Sequence, residues 1–174
     1  MLEIRAILKS QVKPKAKTAR LAESLKRGET TIKELVEFFT TGSDVERGTC
    51  MEALEAVTRD DPQSVEAVLD FVIAQLGHRA PRVKWEASRV IANSARAFPK
   101  RMAAALPALL RNTRDEGTVV RWSAAFSLTE IALNSPETRK QLLPVLTRLA
   151  RDEEGGVKKV YVQGLKKMEK QGAS

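Results

Sequence analysis

The chain has one cysteine, one histidine, one tyrosine and two tryptophans, and aromatic residues make up only 5% of it. The lone cysteine, Cys50, excludes an internal disulfide, which fits a reducing compartment such as the cytoplasm. The lone histidine, His78, excludes a histidine-rich metal cluster. So little aromatic volume leaves the core to Leu, Val, Ile and Ala. No apolar run approaches the ~20 residues that span a bilayer. The opening stretch "MLEIRAILKSQVKPK" carries too much charge for a secretory leader. Alternation of apolar and polar residues, the mark of half-buried strands, is missing. No glycine-rich phosphate loop, paired-carboxylate motif or metal-spaced ligand set occurs, so no cofactor, metal or catalytic residue is expected.

What remains is a folded chain of 174 residues, 43% hydrophobic and 30% charged, long enough for one domain with its own core. The net charge is +8 and the isoelectric point about 9.8. That balance favours acidic partners, whether nucleic acid, an acidic protein face or an anionic surface.

The chain repeats itself. "VKWEASRVIANSA" from Val83 is echoed by "VRWSAAFSLTEIA" from Val120, 37 residues on. At that shift Arg47, Lys84, Arg121 and Lys158 share a column, as do Leu54, Ile91, Leu128 and Leu165. Pro62, Pro99 and Pro136 align, and so do Ile32, Leu69, Leu106 and Leu143. A fourth column holds Cys50, Ala87, Ala124 and Tyr161. A fixed period of this length marks a repeat array.

Each unit carries two helical patterns. Leu142, Leu143, Leu146 and Leu149 recur at spacings of three and four, and Val120, Ala124, Leu128 and Ile131 do the same. "DDPQS", "FPK" and "NSPET" supply the breaks between them. The pattern predicts first helices near 30–40, 64–77, 101–114 and 138–151. Second helices fall near 44–59, 82–97, 118–134 and 157–170. One or two further helices, over roughly 2–10 and 15–27, precede them. The division is an amino-terminal helical cap over 1–29 and one array over 30–174, with units near 30–60, 61–97, 98–134 and 135–171. A lone helix pair cannot bury its apolar face, so the pairs are expected to stack.

The unit resembles a short HEAT repeat over about residues 30–170. The likeness lies in "ALPALL" from Ala105 and "LLPVL" from Leu142, in the following Asp115 and Asp152, and in the second-helix pattern. That pattern is Val120, Arg121, Ala124, Ala125 and Leu128 in one unit and Val83, Lys84, Ala87, Ser88 and Ile91 in another. The resemblance implies an all-α, right-handed superhelix of about four 37-residue helix pairs, binding protein or nucleic acid on an extended surface. It also implies a polar ladder between units, with Asp115 and Arg121, and Asp152 and Lys158, as its members. Thr41 and His78 hold the Asp column in the first two units. HEAT-like DNA glycosylases that remove alkylated bases place an acidic residue about one turn after a groove tryptophan. Here Arg89 and Phe126 stand at that distance, so catalysis is not expected.

Trp85 and Trp122 share a column with Gly48 and Lys159. Farther along the same helix side come Arg89, Phe126 and Gln163, then Arg96, Leu133 and Lys170. Helix-spaced aromatics are most often core, so both indoles are expected to pack on the next unit. The competing reading is an aromatic and basic stripe that holds a partner: Trp85, Arg89, Arg96, Trp122, Phe126, Lys159, Lys166 and Lys170. The amino-terminal run Lys9, Lys13, Lys15, Lys17 and Arg20 reads as a solvated face split by Pro14, and the lysine-rich tail as a soluble end cap. His78 and Cys50 read as structural.

The expected function is therefore non-enzymatic: a cytoplasmic adaptor or scaffold that takes a protein partner along the array. A basic nucleic-acid-binding solenoid is the alternative. Clustered Arg and Lys beside a solvent-facing Trp would favour nucleic acid, and an apolar groove would favour protein.

Overall fold

The structure is a computed structural model that describes residues 1–172. Positions 173 and 174, the end of the predicted array, lie outside the described residues. Among the described residues there are ten α-helices and no strand. In chain order they are α1 (Leu2–Lys9), α2 (Pro14–Lys26), α3 (Ile32–Thr41), α4 (Asp44–Thr58), α5 (Leu69–Gln75), α6 (Pro81–Ser94), α7 (Leu106–Asn112), α8 (Thr118–Asn134), α9 (Pro136–Asp152) and α10 (Gly155–Gly172). No described helix is long and apolar enough to cross a membrane.

The even-numbered helices form a stack in which α2 packs on α4, α4 on α6, α6 on α8 and α8 on α10. The odd-numbered helices flank it. Local sequence starts each element. Thr31 with Glu34, and Ser43 with Glu46, form capping boxes that satisfy the first amides of α3 and α4. Ser135 caps α9, and proline opens α2, α6 and α9 where its missing N–H costs nothing.

The predicted boundaries agree with these elements except in the two central first helices. There the chain winds as a 3-10 helix over Pro62–Val68 and Pro99–Ala105 before becoming α5 and α7. Pro107, at the second position of α7, disfavours an α-helix running through from Pro99, since its ring crowds the carbonyl four residues back. Nothing local accounts for the tighter winding of Pro62–Val68. Pro144, one period after Pro107, instead lies inside a continuous α9.

The apolar columns explain the burial. Leu54, Ile91 and Leu128 are fully buried, as are Cys50, Ala87, Ala124 and Tyr161. Leu143 departs from its expected place: it is exposed, while Leu142 and Leu146 carry the contact of α9 with the core.

Bonds between units recur near the period. The Asn112 amide donates to the Leu76 carbonyl at 2.9 Å, the Asn93 amide to the Glu55 carbonyl at 3.2 Å, and the Ser127 hydroxyl to the Ser88 carbonyl. The ion-pair ladder is a correction to the expected one. The Asp115 carboxylate pairs with Lys84 of the preceding unit, whereas Arg121 binds the Asp115 backbone carbonyl at 2.9 Å and reaches forward to Glu153 at 3.2 Å. Glu153 thus takes the place assigned to Asp152. The second-unit member of the Asp column, His78, accepts the Ala80 amide through Nδ1 at 3.0 Å, just as Asp115 accepts the Gly117 amide at 2.9 Å. A neutral imidazole serves that role, and partial burial lowers the basicity of His78.

Gly164 marks the tightest approach in the stack. A Cβ there would lie 2.5 Å from Thr129 Cγ2 and 2.8 Å from Thr129 Cβ, on a β-branched side chain with little freedom. Gly164→Ala gains up to about 1 kcal/mol of helix propensity, yet should lower the melting temperature because the α8–α10 contact becomes overpacked. Adding Thr129→Ser removes the methyl at 2.5 Å and should recover part of the loss, whereas Thr129→Gly, which also removes the Cβ at 2.8 Å, should relieve the clash fully. Ala124→Leu should cost about 1–3 kcal/mol for the same reason between stacked helices, measured by denaturant titration.

Candidate functional site

The stack leaves one side of α4, α6, α8 and α10 free of the flanking helices, and the tryptophan column lies there. The seam between stacked helices is filled by small residues: Ala87, Ser88, Ala124 and Ser127 are all fully buried. An indole does not fit among them. Trp122 accordingly stands 36% exposed, its ring stacked on Phe126 with centroids 5.6 Å apart and planes 17° from parallel. Trp85 is half-buried, and its Nε1–H donates to Glu86 Oε1 at 2.6 Å. Trp122 does border the next unit, since a Cβ on Gly156 would lie 3.9 Å from its Cδ1, but neither indole is fully buried, contrary to the expected core packing. Neither belongs to the hydrophobic core.

Around Trp85 the charges compensate one another. Arg89 pairs with Glu55 at 2.9 Å and Glu86 at 3.1 Å, and Arg59 grips Glu55 with two N–H groups at 3.0 and 2.7 Å. Glu55 and Glu86 are only 1% and 3% exposed, which is tolerable for carboxylates that are paired and hydrogen-bonded. Burial is the main influence on Glu86 and raises its pKa against the Trp85 donor and Arg89. Farther along, Glu52 binds Arg82 and accepts the Thr18 hydroxyl at 2.8 Å.

Past Trp122 the face opens into a cavity of about 560 Å³ that crosses the carboxyl-terminal ends of all four helices. Its charged walls are Arg59, Arg96, Lys167 and Lys170, with Glu130 as the one carboxylate. Phe126, Leu133 and Ala92 supply apolar surface, and Asn93, Asn134 and Gln171 supply amides. Glu130 differs from its neighbours. Among the described residues none donates a hydrogen bond to its carboxylate or forms an ion pair with it, whereas Glu52, Glu55, Glu86 and Glu153 are all paired. Half-burial raises its pKa, and the charge of Lys167 offsets this only in part.

Of the predicted stripe, the structure brings Arg96, Phe126 and Lys170 into one cavity and sets Trp122 on Phe126 at its rim. Arg89 and Trp85 are joined through Glu86. Lys159 and Lys166 are exposed on α10 but stand outside the cavity. Sequence reasoning missed Arg59, Glu130 and Lys167. Arg59 was within reach, since it lies one period before Arg96 in the same column, and Glu130 and Lys167 share the Asn93 column.

Burial pushes the Cys50 thiol up to about 12, so it stays protonated at neutral pH. Among the described residues no group of three His, Cys, Asp or Glu side chains could hold a metal ion.

No family model and no curated protein matches the chain. Among solved structures, the crystal structure of an engineered protein superposes with a TM-score of 0.70 at 19% sequence identity, over 97% of this chain and 78% of that one. At that identity the likeness is one of fold alone.

The two raised carboxylates make opposite predictions. A carboxyl whose folded pKa exceeds its unfolded value destabilises the fold as pH rises through that interval. Glu130→Gln removes such a group and no partner with it. Its melting temperature should exceed that of the wild type at pH 7, with the gain vanishing below about pH 4.5, the unfolded Glu range. Trp85→Phe removes the donor to a buried carboxylate and should cost about 1–3 kcal/mol at pH 7. That loss should shrink on acidification, as Glu86 takes up a proton.

Proposed function

We propose that the chain is a non-enzymatic, HEAT-like recognition module: a right-handed solenoid of about four helix pairs behind an amino-terminal cap. It takes an extended anionic macromolecule on the free face of its stacked helices. The 37-residue period, the sequential packing of α2, α4, α6, α8 and α10, and the inter-unit bonds near the same spacing support the architecture.

The observation that carries the ligand class is the exposed Trp122–Phe126 stack beside a cavity walled by four cationic side chains. Flat aromatic surface next to Arg and Lys suits single-stranded nucleic acid, whose bases stack while its phosphates meet the cations. That ranks nucleic acid ahead of the protein partner expected from the repeat type. An adaptor role toward protein retains one specific support. The last unit leaves an apolar hollow of about 430 Å³ lined by Leu143, Leu165 and Met168, with Leu143 exposed.

Fluorescence separates these readings. In the Trp85→Phe variant only Trp122 emits, and a single-stranded oligonucleotide should quench it. The affinity should fall with salt at a logarithmic slope of about −0.7 for each phosphate neutralised, hence about −2 to −3 for three or four cations. Trp122→Ala should weaken binding roughly 5- to 150-fold, the range of one base–aromatic stack. Unchanged emission, or binding indifferent to salt, would rule out the nucleic-acid reading and leave an apolar protein contact.

A further inference from the structure

The cavity at the end of the stack holds more information than its positive charge. A half-buried carboxylate without a donor is costly, and every other acidic group named on this face has one. Glu130 has no donor among the described residues and stays open to water, so a ligand that covers it has to replace that water with donors of its own. The two carboxylate oxygens suit a pair of adjacent N–H donors. A guanidinium ligand offers such a pair, but it would meet Arg59, Arg96, Lys167 and Lys170 with a charge of the same sign. The ligand must thus present two neighbouring N–H groups and carry negative charge elsewhere.

Among nucleotides, guanine meets both conditions, through N1–H and the N2 amino group on one edge and the phosphate at the other end. Adenine and cytosine each place a ring acceptor beside their amino group, and uracil flanks its one N–H with two carbonyls. Those acceptors would face the Glu130 oxygens and be repelled. The cavity volume of about 560 Å³ lies within the ~300–1,000 Å³ typical of small-molecule pockets. Phe126 offers a ring in its wall, continuous with the Trp122 stack on which neighbouring bases would lie.

We propose that this cavity receives one unstacked guanine nucleotide of a single strand. Phe126 lies against the base, Glu130 accepts its N1–H and N2–H, and Arg96 and Lys167 meet its phosphate. The inference rests on the nucleic-acid reading above and adds a base preference to it.

The test compares an eight-residue oligouridylate, the same strand with one central guanosine, and an oligoglutamate of equal length, each titrated against the full chain and its variants. The guanosine strand should bind wild type about tenfold or more tighter than the all-uridine strand, as one bidentate contact allows. Glu130→Gln should bind the all-uridine strand more tightly, a negative charge having gone, and should lose the guanosine preference. Arg96→Gln with Lys167→Gln should weaken both strands together and keep the preference. Far-ultraviolet circular dichroism verifies that each variant is folded. Equal, salt-sensitive binding of both strands by wild type would overturn the guanine pocket and leave the broader reading standing, as would a preference that survives Glu130→Gln. No binding of either strand, or tighter binding of the oligoglutamate, would overturn both.

Discussion

The close approach of consecutive stack helices is the constraint on which the rest depends. Ala87 and Ala124 recur where two helices meet, Ser127 donates to a backbone carbonyl of the neighbouring helix, and Gly164 leaves no room even for a methyl group against Thr129. In α6 and α8 the seam holds small side chains, because interiors pack near crystal density and added volume is resisted; only in α10 does the same column hold a large residue, the buried Tyr161. The other large residues of α6 and α8 lie to either side of it. Leu54, Ile91 and Leu128 turn inward to the core, whereas Trp85 and Trp122 are displaced to the free face. The position of the candidate site is thus a consequence of how tightly the helices pack.

Helix positions were legible to within a few residues because three signals coincided: apolar spacing, proline and the 37-residue period. Burial of Ala87 and Ala124 was legible for the same reason. The tryptophans were misjudged because helical spacing reports which residues share a side of a helix, and says nothing of whether that side meets protein or solvent. The ladder was misread at Asp152, where Glu153, one residue on, takes the bond from Arg121. A long, flexible guanidinium reaches either position, so alignment alone could not choose. The helix pattern also missed the 3-10 segments, which show the same hydrophobic spacing over a single turn or two.

The electrostatics of the free face divide it in two. Near Trp85, arginines are consumed by buried carboxylates: Arg89 and Arg59 hold Glu55, and Arg89 also holds Glu86. That half is a structural cross-link between α4 and α6 and offers little net charge to a ligand. Near Trp122 the balance changes, since Arg96 and Lys167 stand with Lys170 and the Glu55-bound Arg59 along the cavity wall, where Glu130 is the one carboxylate. Overall charge alone could not locate this asymmetry. The basic run near the amino terminus is likewise divided by structure, since α1 ends at Lys9 and α2 begins at Pro14, with Lys17 spent on the Leu8 carbonyl at 2.5 Å.

Photochemical cross-linking would locate the bound strand directly. A single-stranded oligonucleotide carrying 5-bromouridine is irradiated with the full chain, and the adducts are mapped after tryptic digestion. Binding on the free face predicts adducts at Trp122 or Phe126, within the peptide that runs from Trp122 to Arg139. Adducts confined to the basic run between Lys9 and Arg20, or none at all, would contradict a recognition role for the Trp122–Phe126 stack.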